Sequence, residues 1–280
     1  MRLVKAEKIT AVVAKLCIEA NHRLPQAATS RIALCHAREQ WPIAKEILGK
    51  IIENYNLAEK GNLPICQDTG AACVFLEVGQ EVYIDGNLAV AVDEGVRQGY
   101  RDGYLRKSIV SDPLFARKNT GDNTPAILYT EYLPGKLVTV TVAPKGFGSE
   151  NMSRIKMLLP SDGVSGVIDF VLETVEAAGP NPCPPIVVGI GLGGTFDKAA
   201  LLAKKALLRP IGQPSAHESY AHLEAELLEK INQLGIGPQG FGGSTTALSV
   251  AIEYMPTHIA GLPCAININC HVTRHATEVI

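Results

Sequence analysis

Apolar positions in the first sixty residues recur at helical spacing. Ile9, Val12, Val13, Leu16 and Cys17 form one stripe, and Ala44, Ile47, Leu48, Ile51 and Ile52 form another, so this stretch reads as helices. Gly61-Asn62-Leu63-Pro64 ends the second stripe. Cys73–Val78 then predicts a short strand, and Leu88–Val96 a helix with Asn87 as its cap. Residues 101–124 are polar, carry Arg101, Arg106, Lys107, Arg117 and Lys118, and read as a loop system. Ala126–Tyr132 and Leu137–Val142 are β-like segments around Pro134-Gly135, which predicts a hairpin.

Val164–Ala177 predicts an amphipathic helix and Ile186–Ile190 a buried strand. Gly191–Thr195 reads as a glycine-rich turn into a helix over Lys198–Leu208, and a long helix follows over His217–Leu234. Strand-like runs at Ala247–Ile252 and Ile259–Ile268 close the pattern. No repeat, low-complexity tract or linker interrupts it. The reading is α/β: a single mixed domain over 1–280, with a central β-sheet flanked by helices and a helical N-terminal part over about 1–60.

Charge and composition narrow the class. The formal net charge is −2 and no basic stripe is visible, which argues against nucleic acid as a partner. No apolar run is long enough to cross a bilayer. Glu7, Lys8 and Lys15 interrupt the first apolar segment and break any secretory signal, so the expected location is cytoplasmic.

Seven cysteines, an odd number in a long chain, disfavour a disulfide framework. Cys17 and Cys35 fall on apolar helical faces, Cys73 starts a strand and Cys264 lies in an apolar run; these read as small core hydrophobes. Cys66, Cys183 and Cys270 instead sit in polar or Gly/Pro-rich segments, 117 and 87 residues apart. Three thiolates suit zinc, copper(I) or an iron–sulfur cluster, although they could equally be ordinary thiols.

Gln67 and Asp68 follow Cys66 directly. Asp68 either orients a bound water or substrate hydroxyl, or caps the turn into Thr69-Gly70. Arg274 either meets a carboxylate or the charge of a cluster, or forms a surface salt bridge. Arg106 offers a planar fork to a carboxylate, in competition with the cations around it. Lys145–Asn151 is either a donor-rich anion loop or a strand-exit turn. His258 reads as catalytic or as a satisfied structural histidine. Gly189-Ile190-Gly191-Leu192-Gly193-Gly194 fits a dinucleotide fingerprint, which would make a nucleotide-dependent oxidoreductase. No strand ending in an acidic residue follows about twenty residues on. Close backbone approach near the Cys183 segment, with a helix N-terminus open to an anion, is the alternative.

Taken together, five motifs resemble the iron–sulfur class I fumarases. They are Cys-Gln-Asp-Thr-Gly at 66–70, Asn-Thr-Gly-Asp-Asn at 119–123, Lys-Gly-Phe-Gly-Ser-Glu-Asn at 145–151, Cys-Pro-Pro-Ile-Val-Val-Gly-Ile-Gly-Leu-Gly-Gly-Thr at 183–195 and Asn-Cys-His-Val-Thr-Arg-His at 269–275. The same pattern occurs in L-tartrate dehydratase. The resemblance implies a fold like the N-terminal domain of those enzymes. It implies that Cys66, Cys183 and Cys270 hold a 4Fe–4S cluster whose open iron acts as a Lewis acid. Gln67, Asp68, Arg106, Gly146 and Ser149 would surround a small dicarboxylate substrate. The expected reaction is reversible hydration of fumarate to (S)-malate, with conversion of tartrate to oxaloacetate as the alternative. In single-chain members a further domain follows, whereas this sequence stops at Ile280. The resemblance therefore implies the α subunit of a two-subunit enzyme, with a β subunit carrying the catalytic base and an α₂β₂ assembly. This chain alone would have little or no activity.

Overall fold

The structure, a computed structural model, describes all 280 residues. In chain order it begins with β1 (Arg2–Lys5), α1 (Ala6–His22), α2 (Gln26–Arg38) and α3 (Pro42–Gly61). β2 (Ala71–Gly79), β3 (Val82–Asp85), α4 (Leu88–Asp102), β4 (Ile127–Leu133) and β5 (Val138–Lys145) follow. After the single turn α5 (Phe147–Glu150) come β6 (Arg154–Leu158), α6 (Gly163–Ala178), β7 (Ile186–Gly194) and α7 (Phe196–Ala206). The last elements are α8 (Glu218–Gln233), β8 (Ala247–Thr257), β9 (Leu262–Asn269) and β10 (Ala276–Val279). No helix is long and apolar enough to cross a membrane.

The mixed α/β class expected from the pattern is the class the chain adopts. Its strands form two four-stranded sheets and a two-stranded ribbon, in place of one central sheet. The physical reason is that two separate apolar cores form. Accordingly, the chain divides into two compact units. The first contains Met1–Pro25, Asn54–Phe147 and Arg274–Ile280; the second contains Gln26–Glu53 and Gly148–Thr273.

The first unit has the sheet order β10-β5-β2-β4. Val138, Val140 and Val142 alternate inward along β5 and meet the Ile9–Leu16 stripe of α1 and Val92, Val96 and Tyr100 of α4. Asn87 accepts a hydrogen bond from the Val90 N–H and caps α4 as its position predicted. The expected hairpin does not form. β4 and β5 both pair with β2, β4 in parallel and β5 antiparallel, so β2 lies between them. Almost every residue of β2 is buried, whereas β4 is half to fully exposed. The more apolar strand takes the centre and the polar one the edge. The first residues also depart from the helical expectation: β1 pairs in parallel with β3, through a strand too short to show a period.

The second unit has the order β6-β9-β7-β8, with β7 parallel to β8 and antiparallel to β9. Here the strand alternation explains the glycine-rich motif. Ile186, Val188, Ile190 and Leu192 share a core with α6 and α8. Gly189 and Gly191 point to the other face, against α7. A Cβ at Gly189 would lie 2.3 Å from the Ala203 carbonyl oxygen, and one at Gly191 only 2.0 Å from that of Ala199. The glycines therefore serve close backbone approach, but to α7 and not to the Cys183 segment. They belong to the strand and not to a turn. The N-terminus of α7 is occupied by the chain's own Asp197, whose carboxylate accepts the Thr195 hydroxyl at 2.6 Å and does not stand open to an anion.

Gly191→Ala is expected to destabilise the fold by about 3 kcal/mol or more, since α7 must be pushed off β7. Gly212 has φ +85 with nothing within 4 Å of a Cβ, so Gly212→Ala should cost only about 1–2 kcal/mol of backbone strain. Denaturant unfolding of the two variants checks the order.

Candidate active site

In the first unit the Cys66 loop leaves the end of α3 and enters β2. The Asp68 N–H points to the Cys66 sulfur at 3.4 Å. Each Asp68 carboxylate oxygen accepts one backbone N–H: Oδ1 from Gly70 at 3.0 Å and Oδ2 from Phe147 at 2.9 Å. The first bond is the turn cap that the sequence allowed for. The second ties the Cys66 loop to the Gly146 segment, and a Cβ at Gly146 would come within 3.1 Å of Asp68 Oδ2. Gly70, at φ +75, lets the loop lie against the Lys145 backbone: a Cβ there would sit 2.7 Å from the Lys145 carbonyl carbon, so no side chain fits.

Three buried groups hold this loop from behind. The Tyr100 hydroxyl, fully buried, lies 2.7 Å from the Thr69 carbonyl and 3.0 Å from that of Gly70. Burial, with the Cys17 thiol beside it, pushes this phenol well above its ordinary value, against the opposing pull of Arg274; the hydroxyl therefore stays a donor. Asn123 donates to the Gly70 carbonyl at 3.1 Å and accepts the Ser108 N–H at 2.7 Å. Arg274 is only 4% exposed and donates through Nη2 to the Asp68 carbonyl. Its Nε and Nη1 have no partner in the chain. Arg274 is thus a buried loop anchor and not a surface salt bridge.

Arg106 is joined to the loop through its main chain, where its carbonyl accepts the Thr69 hydroxyl at 2.9 Å. Its guanidinium is exposed and unpaired, as is the Gln67 amide. The first unit therefore brings Cys66, Gln67, Asp68, Gly146 and the Arg106 backbone together.

In the second unit Cys183 is exposed, with φ +55, and Cys270 stands half-buried after the end of β9. His271, next to Cys270, donates to the Cys183 carbonyl from its backbone N–H at 3.4 Å and faces it with ring Nδ1 at 3.0 Å. The Gln239 amide lies 3.3 Å from the same ring nitrogen and donates to the Pro184 carbonyl at 2.8 Å. The two cysteine segments are thereby joined. Ser149 is buried in α5. Its neighbour Glu150 accepts Lys204 Nζ at 2.8 Å and the Asn267 amide at 2.7 Å. Ser153 accepts that amide at 2.8 Å and the Ile268 N–H at 3.2 Å. This network fixes β9 just ahead of Cys270.

Accessibility separates three of the four cysteines read as core residues from the rest, with Cys35 the exception. Cys17, Cys73 and Cys264 are buried, and burial pushes the Cys17 and Cys264 thiols up to about 12. Cys35 is half-buried, with its thiol likewise raised by burial. Cys66 and Cys270 are half-buried and Cys183 is exposed. No three His, Cys, Asp or Glu side chains are grouped so as to hold a metal ion. His258 is exposed, and its Nδ1 accepts the Ala260 N–H at 3.2 Å in a turn, in keeping with the structural reading.

Sequence reasoning missed Tyr100, Asn123 and the Glu150–Lys204 pair. Tyr100 sits in a helical stripe where an aromatic reads as core, and only its hydroxyl carries the tie. Asn123 ends the 119–123 motif, which was the one available signal.

Comparison with known proteins places these features in a class. Residues 10–279 match the family described as Fumarate hydratase (Fumerase), and the chain belongs to this hydro-lyase family. Among relatives, it is 45% identical over 280 residues to the "Putative L(+)-tartrate dehydratase subunit alpha" of Methanocaldococcus jannaschii, covering 98% of each chain. It is 32% identical over 275 residues to the L(+)-tartrate dehydratase subunit alpha of Escherichia coli O157:H7, covering 98% of this chain and 91% of that one. The Shigella sonnei protein of the same name is 31% identical over the same spans.

Two predictions follow from the loop anchors. Tyr100→Phe leaves the Thr69 carbonyl unpaired in the interior and should cost about 1–2 kcal/mol in denaturant unfolding, with an unchanged m-value. Burial raises the Asp122 carboxyl, but hydrogen bonds from Thr124 and Arg97 more than offset this and hold it at about 2. A depressed carboxyl stabilises the fold above its ordinary pKa, and that stability is lost as pH falls toward 2. Asp122→Asn should therefore be less stable than the parent at neutral pH, and the gap should close on acidification below about pH 4.

Proposed function

We propose that this chain is the α subunit of an iron–sulfur hydro-lyase that removes water from L(+)-tartrate to give oxaloacetate. A separate β subunit completes the site, in an α₂β₂ assembly in the cytoplasm. The observation that carries this reading is the near full-length match to proteins named as α subunits of L(+)-tartrate dehydratase. It favours tartrate over the fumarate hydration first expected from the motifs. Hydration of fumarate to (S)-malate stands as the second reading, because the matching family model is that of fumarate hydratase. A nucleotide-dependent oxidoreductase loses its one signal, since Gly189–Gly194 is strand β7 packed on α7.

The donor chemistry fits a 4Fe–4S cluster held by Cys66, Cys183 and Cys270: three soft thiols outside the apolar cores, in loop segments. When bound, the cluster supplies Lewis-acid polarisation of a substrate hydroxyl through the iron that no cysteine holds. The chain's residues do the positioning. Arg106 presents an unpaired planar fork to one substrate carboxylate, and Gly146 and Ser149 are proposed to contribute to the same substrate pocket. Each Asp68 oxygen accepts one backbone N–H and keeps a lone pair. The carboxylate therefore accepts a hydrogen bond from a substrate hydroxyl or water without releasing its loop. The exposed Gln67 amide would serve the same group. The proton on the neighbouring carbon goes to a base on the β subunit, so this chain alone is inactive.

The test is anaerobic reconstitution of the α–β complex with iron and sulfide, followed by separate assays with L(+)-tartrate and (S)-malate. Oxaloacetate from tartrate, abolished in Cys66→Ser, is the expected result. Arg106→Gln should lower kcat/KM by about 10–100-fold through loss of a charge-assisted contact. Activity with malate alone would establish the second reading. A complex that is active on tartrate after complete removal of iron would overturn the cluster assignment.

A further inference from the structure

The segment after Arg106 is an ordered exposed arm. Val110 and Asn119 pair as an antiparallel bridge, flanked by the Ser111 N–H to Lys118 carbonyl bond at 2.8 Å and the Thr120 N–H to Ile109 carbonyl bond at 2.9 Å. At the tip the Asp112 carboxylate accepts the backbone N–H groups of Leu114, Phe115 and Ala116 at 2.9, 3.1 and 2.9 Å. So tied a turn has little freedom to fold its side chains away. Yet it presents Leu114 at 70% and Phe115 at 86% exposure. A rigid turn that shows two large apolar side chains to water is the form of an interface anchor.

The base of the arm is the site itself. Asn123 links the Ser108 N–H to the Gly70 carbonyl, and the Arg106 carbonyl holds the Thr69 hydroxyl. Any subunit that supplies a group to substrate held by Arg106 must come up beside this arm. The arm is also basic: Arg117 and Lys118 flank the tip and are exposed, while Asp112 is spent on backbone N–H groups.

We infer that the arm Lys107–Asn119 is the docking element for the β subunit, with Leu114 and Phe115 seated in an apolar pocket rimmed by acidic residues. The inference rests on the two-subunit reading above. Docking there grips the hydrogen-bonded base and so holds Arg106 and the Cys66 loop in place as the site is completed.

The experiment measures the affinity of the full-length chain for the β subunit by surface plasmon resonance, with sedimentation velocity as a check on each partner alone. Leu114→Ser with Phe115→Ser should weaken binding about 100-fold, tenfold or more for each anchor lost. Thermal unfolding of the isolated chain should not change, since both side chains are exposed. Lys118→Glu should slow association and flatten its salt dependence, as expected of an acidic-rimmed partner. An affinity within threefold of the parent overturns the inference, as does a normal complex with a raised KM, which would make the arm a substrate lid. Self-association of the parent chain that the double substitution abolishes overturns the choice of occupant. Failure of the parent to bind the β subunit at all removes the two-subunit reading and the inference with it.

Discussion

The Asp68 carboxylate is the constraint on which the Cys66 loop of the first unit depends. One oxygen closes the turn behind Cys66 and the other takes the Phe147 N–H, so two segments almost eighty residues apart share one anion. Both donors are backbone N–H groups, so one Asp68 side-chain rotamer fixes the main chain of both segments. Arg274 grips the carbonyl of the same residue from the buried side. Moving Asp68 would therefore release the Cys66 turn, the Gly146 segment and a buried cation together, and a buried charge left unpaired costs several kcal/mol.

The second unit solves the same problem with an ion pair. Glu150 is bonded to Lys204 of α7 and to Asn267 of β9, and Ser153 adds a bond to the next backbone N–H. α7 can lie close enough to take part because Gly189 and Gly191 leave its backbone room against β7. A packing feature of the sheet and the placement of Cys270 are in this way one structural decision. The glycine-rich run, which reads as a nucleotide loop in isolation, acquires its meaning from that contact.

Much of this was legible in the residues. Helical stripes, the Asn87 cap and the inward valines of β5 are local features, and local periodicity finds them. The hairpin failed because pairing partners are chosen by burial across the sheet, and β2 outcompetes β4 for the centre. Polarity separated the buried Cys17, Cys73 and Cys264 from the loop thiols, but Cys35, read as a core residue, is half-buried like Cys66 and Cys270. Tyr100 and the Glu150–Lys204 pair were hidden for the opposite reason: their partners are backbone carbonyls or residues over fifty positions away. The substrate was not legible, since tartrate and malate differ by one hydroxyl.

The most direct test of the account is the iron and acid-labile sulfide content of the anaerobically reconstituted chain, with and without Cys66→Ser, Cys183→Ser and Cys270→Ser. The account predicts about four of each per chain in the parent, with a brown chromophore, and loss of the stable cluster in every single variant. A parent that takes up neither iron nor sulfide, or three variants that bind as the parent does, would contradict it.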